Sequence, residues 1–90
     1  MSARNEFKKA LQALTTTVVD AEAARDSNPD TFEALRSASV AHRQLVREKH
    51  DAFVAEWAAT ASADPVPYAA WFTQTLARAE ALFGPETARN

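Results

Sequence analysis

The chain has no cysteine, no isoleucine and one glycine. Without cysteine there is neither a disulfide framework nor a thiolate metal site. With Gly84 as the sole glycine, a glycine-rich phosphate-cradling loop cannot be built. No apolar run approaches the roughly 20 residues that a membrane-spanning helix requires. The stretch MSARNEFKKALQAL lacks the apolar core and small-residue cleavage site of a secretory signal. Cytoplasm is therefore the expected location, with no membrane partner. Charge is also scarce in one-sided form. A net charge of −2 and a pI near 5.6 do not give the basic footprint of a chain that holds nucleic acid by bulk electrostatics.

Catalytic constellations are missing too. The two histidines, His42 and His50, stand eight positions apart, whereas ligands on one helix face recur at three or four. No carboxylate completes a set with both, so no metal and no cofactor are expected. A catalytic histidine needs an oriented partner and a nucleophile or substrate pocket, and neither pattern occurs. The expectation is a protein that is not an enzyme.

What is abundant is alanine. It accounts for 21 of the 90 residues, as many as Leu, Val, Phe, Trp, Tyr and Met together. Alanine favours helix strongly but adds little area to a core. A single domain of this length has a thin stability margin, and with disulfides closed off, a second copy or another protein is the remaining support.

The prolines and the glycine divide the chain into three helical segments. In SNPDTFEAL, Ser27 or Asn28 is placed to cap a helix with Pro29 in its first turn. In SADPVPYAAWF, Asp64 reads as an N-cap with Pro65 and Pro67 in the turn that follows. Gly84 and Pro85 end the last segment. The expected helices are 3–25, 30–61 and 65–83, followed by a frayed tail over 85–90. The first carries a seam at Phe7, Leu11, Leu14, Val18, Ala21 and Arg25, with alternating steps of four and three. Thr15, Thr16 and Thr17 interrupt it with hydroxyls suited to bonding back onto the preceding turn. Short connections make neighbouring helices antiparallel. The fold class is all-α: a three-helix bundle with a long central helix, elongated in outline. The first helix is expected over the front half of the second, with Asp20 and Glu22 beside Arg36. The third is expected over the back half, where Phe53, Trp57, Tyr68, Trp71 and Phe72 form one aromatic cluster.

Two groups of residues are candidates for function. On a helical wheel Arg36, Arg43, Arg47 and His50 share a narrow arc of the second helix. The structural reading of this arc is a solvated flank whose arginine stems cover apolar neighbours. The functional reading is a stripe that orients an acidic partner. Trp57, Tyr68 and Trp71 are residue types that dominate binding hot spots, and also the types a small core uses to gain area. Pro65, followed six residues later by Trp71–Phe72 and then Leu76, resembles the end of the small three-helix theta accessory subunit of bacterial replicative polymerases. That resemblance implies an accessory role alongside a larger protein. The residues themselves point to a small protein-binding module: an adaptor, accessory subunit or inhibitor of the kind mobile elements encode. It would dock through its aromatic face. The alternative is a dimeric nucleic-acid-associated regulator using Arg36, Arg43 and Arg47.

Overall fold

The computed structural model describes residues 2–85. Three helices follow in order: α1 (Ala3–Ala24), α2 (Pro29–Ala59) and α3 (Ala69–Phe83), with no strand among the described residues. The all-α bundle with a long central helix is thus observed. Its extents are 47 × 27 × 22 Å, so it is elongated. The tail beyond residue 85 lies outside the described residues.

Each helix start has a local cause. Ser2 caps α1, its hydroxyl accepting from the Asn5 amide at 3.1 Å. Asn28 caps α2, its side-chain oxygen accepting from the Thr31 amide at 3.2 Å with Pro29 at the first helical position. The start of α3 departs from expectation. Helix begins at Ala69, not Pro65, and Asp64 is not its cap. A residue before proline is pushed out of the α region by the ring. Asp64 precedes Pro65 and Val66 precedes Pro67, so the chain stays non-helical through both. It enters α3 through Tyr68 in a left-handed conformation, φ 67°. Ala61, just past the end of α2, is left-handed as well, at φ 57°.

The seam of α1 is buried as its spacing predicts. Phe7, Leu11, Leu14, Val18 and Ala21 are all fully inaccessible, while Arg25 is exposed. Thr15 and Thr17 bond back to the carbonyls of Leu11 and Ala13 at 2.8 and 3.0 Å. α2 meets α1 along its length through Val46, Phe53 and small residues, and α3 lies in the remaining groove. Here a second correction arises. α3 is not confined to the back half of α2, because Phe83 reaches Phe32 near the α2 N-terminus, ring centroids 5.7 Å apart. The non-helical connection doubles back beneath Trp57, whose Nε1 donates to the Asp64 carbonyl at 3.3 Å. α3 therefore starts level with His50 of α2 and runs toward its beginning.

A third correction concerns ion pairs. Arg36 does not reach Asp20 or Glu22. It pairs with Glu33 one turn earlier on its own helix. Glu22 is instead met by Arg78 of α3. Its carboxylate sits in the last turns of α1, where a negative charge opposes the helix dipole, and Arg78 compensates that placement.

Candidate functional site

The structure separates the residues that the α2 wheel grouped. Arg43 is the clearest change: it is 4% exposed, not a solvated flank. Its Nη1 donates to the Gly84 carbonyl at 2.9 Å and its Nη2 to the Ser39 hydroxyl at 3.4 Å. Its guanidinium lies 5.9 Å from the Phe83 ring centroid. α3 has no basic residue in its last turn, and Gly84 is its C-cap. Arg43 therefore supplies, from another helix, the cation that a helix C-terminus favours. His50 belongs with the aromatics. Its ring stacks on Phe72 at 3.9 Å, nearly parallel, and edges onto Phe7 at 5.5 Å. Arg36 and Arg47 stay nearer the surface, Arg47 beside Arg43 in a cleft between α2 and α3.

The aromatic cluster forms, with one member the sequence reading did not place in it. Phe7 of α1 is its hub, 5.5 Å from Phe53, 5.6 Å from Phe72 and 6.3 Å from Tyr68. Trp57 joins through Phe53 at 6.0 Å, and Trp71 through Tyr68 at 5.8 Å. Trp57, Tyr68 and Trp71 remain half-buried, Tyr68 beside Arg4 and Phe7 near the start of α1 and Trp71 further along, beside Thr15. Each is held in place. Trp57 is tied to Asp64, and Trp71 Nε1 donates to the Thr15 hydroxyl at 2.9 Å. Arg4 covers the Tyr68 ring at 5.5 Å. Hydrogen bonding by Arg4, reinforced by the Arg4 and Lys8 charges, holds the Tyr68 phenol below its ordinary value, while partial burial opposes this.

Two further surfaces were not anticipated. A shallow groove of about 270 Å³ between α1 and α2 is lined by Ala10, Ala13, His42 and Leu45, with Glu6, Lys9 and Lys49 among its other walls. Leu45 is 42% exposed. It lies on an exposed stripe of α2 that also carries Ala34, Ala38, Ala41, Ala52 and Ala55, in steps of three and four with one step of seven between Leu45 and Ala52. That spacing was legible, but alanines alone do not reveal which stripe a partner helix will cover. No group of three or more His, Cys, Asp or Glu gathers at metal-binding distance among the described residues. Among them, too, no helix is long and apolar enough to cross a membrane.

Compared with known protein families, curated proteins and solved structures, the chain matches none. The short resemblance over 65–76 therefore has no wider match behind it, and the geometry carries the functional argument.

Proposed function

We propose that the protein is a non-enzymatic protein-binding module that docks through the aromatic surface of the bundle. One observation carries this reading. Trp57, Tyr68 and Trp71 stand half-exposed together, each fixed by a contact to a different part of the chain. Rings held in one orientation before binding lose little entropy on association. Tyr68 also occupies a left-handed conformation that a bulky side chain adopts only when its surroundings enforce it. Such strain clusters where a side chain must be presented in a set direction. Arg4 and Lys8 flank this surface at Tyr68, so the matching partner surface has an apolar anchor bordered by acidic groups. They take the orienting part that the sequence alone assigned to the α2 arginines.

The nucleic-acid reading is the weaker proposal. It needs Arg36, Arg43 and Arg47 displayed together, but Arg43 is inside and Arg36 is engaged with Glu33. Self-association draws support from a different surface, the Leu45 stripe. A chain whose mass in solution is twice that of the protomer would use that stripe and leave the aromatic surface open.

The test is affinity capture from the native host with wild type and Trp57→Ala as paired baits, followed by reconstitution with the purified partner. Loss of a half-buried tryptophan at the centre of an interface weakens binding by about 2 kcal/mol, more than tenfold. A partner held equally by both baits, with both shown to be folded by circular dichroism, sinks the docking surface named here.

A further inference from the structure

We propose that the open α1–α2 groove at Leu45 is the contact between two copies of this chain, their α2 helices antiparallel about a two-fold axis midway between Leu45 and Glu48. The inference is independent of the aromatic docking surface. The groove, about 270 Å³, has no residue of α3 in its lining, and Ala10, Ala13 and Leu45 supply its apolar walls. Leu45 is 42% exposed, the one exposed leucine among the described residues. Along this flank, α2 carries an exposed heptad set at 34, 38, 41, 45, 48, 52, 55 and 59. Every member is alanine except Leu45 and Glu48.

The positions of those two exceptions identify the occupant. With the axis between them, each member of the set falls opposite another. Ala38 meets the partner's Ala55, Ala41 meets the partner's Ala52, and Leu45 meets the partner's Glu48. The alanine layers let the two backbones approach closely. At the centre, the one large apolar side chain of each copy covers the stem of the one charged side chain of the other, and the carboxylate stays at the rim. Parallel pairing is worse on two counts. It sets Glu48 against the partner's Glu48. It also sets like charge against like along α1, whose first half carries Arg4, Lys8 and Lys9 and whose end and exit carry Asp20, Glu22 and Asp26. Antiparallel pairing turns the basic half of each α1 toward the acidic half of the other, so the charges are complementary. The size of the contact sets its strength. At 1.5 Å per residue the set spans about 38 Å, and a strip one helix wide covers roughly 400 Å² on each copy. That is about half of a standard interface, so the dimer is weak and concentration-dependent.

The chain has no cysteine, so introduced cysteines report the register without background. The experiment uses the full chain carrying Ala41→Cys or Ala52→Cys, both at exposed positions, oxidised separately and as an equal mixture. The mixture should give a disulfide-linked pair of the two variants, while neither variant alone links to itself at a comparable rate. Sedimentation equilibrium on the cysteine-free chain supplies the affinity. Glu48→Ala completes the alanine set and removes two like charges from the contact, so it should tighten the dimer roughly threefold or more. Ala52→Arg places a long charged side chain in an alanine layer and should weaken the dimer roughly tenfold or more, with helix content by circular dichroism unchanged. The proposal is overturned if the chain stays monomeric up to about 1 mM. It is also overturned if either cysteine variant links to itself as fast as the mixture cross-links, which marks a parallel or shifted pairing. Unchanged affinity in Glu48→Ala or Ala52→Arg sinks it as well, because the copies then meet through another surface.

Discussion

The two faces by which α2 meets its neighbours are built on different principles. Toward α1 the joint is a closed apolar seam. Leu11, Leu14, Val18 and Val46 are fully buried, and Ala10, Ala21 and Ala24 let the backbones come close. Toward α3 the backbones approach closely at few points, and the gap is bridged by long side chains: Arg43 to Gly84, His50 to Phe72, Phe32 to Phe83. The difference follows from composition. A chain with this much alanine can zip two helices together, but it has few large aliphatic residues left for a third. Aromatic rings and an arginine stem fill the second joint because each covers area from a distance. The cost is polarity inside the protein, concentrated at Arg43.

The most damaging way to break this contrast is to remove the residue common to both joints. Phe7 is fully buried and touches rings from α2, from α3 and from the segment leading into α3. Phe7→Ala should cost about 3–5 kcal/mol, comparable to the whole stability of a small domain. Urea denaturation should show a chain that is largely unfolded without denaturant. A loss below about 1 kcal/mol, the scale of an ordinary surface change, would mean that the joints are not coupled through this ring.

A gentler cut should separate the joints. Arg43→Met keeps much of the side chain's length and removes its donors. The Gly84 carbonyl and the Ser39 hydroxyl then lose a charged partner, a loss of about 1.5–3 kcal/mol, partly offset because a desolvated cation is also gone. The net expectation is a destabilisation of about 1 kcal/mol. Native-state amide exchange should locate it, with faster exchange in the last turn of α3 and little change in the middle of α1. Equal acceleration in both helices would show that α3 has no separate stability, and the contrast between the joints would fail.

How much of this was legible follows from the same contrast. The α1 seam could be read because large apolar residues recur at helical spacing and only one stripe qualifies. The helix ends at Asn28 and Gly84 could be read because capping chemistry is local. The start of α3 was misplaced for a reason that is also local. Pro65 alone reads as a helix start, but Pro67 two residues on imposes its own restriction on Val66, and the helix begins at Ala69. The fate of Arg43 was not local at all. Its wheel position places it beside Arg36 and Arg47, and only the path of the 60–68 connection decides that α3 covers it. Thr15 is similar. As one of three threonines it reads as a flaw in a helix, and its role as acceptor for Trp71 depends on a residue 56 positions away.

The smallest effect tests the edge of the α1–α2 joint. Lys49 donates to Glu6 at 2.7 Å, with both side chains about one-third exposed. The hydrogen bond from Lys49, and then its charge, lower the Glu6 pKa below its model-peptide value of 4.5. The same pair raises Lys49 above 10.5. The sign follows from linkage. A carboxyl whose folded value is depressed adds stability that is fully present above its unfolded value and disappears as pH falls through the folded one. Lysine's share is present below 10.5 and disappears as pH rises through its own folded value. The urea midpoint of wild type should therefore exceed that of Glu6→Gln by a steady margin from about pH 6 to 9, shrinking below pH 4.5 as Glu6 protonates. Added salt should narrow the same margin, because an exposed pair is screened. A margin that survives unchanged at pH 3 would assign the effect of Glu6 to the packing of its stem along the groove, and the α1–α2 joint would then be apolar to its rim.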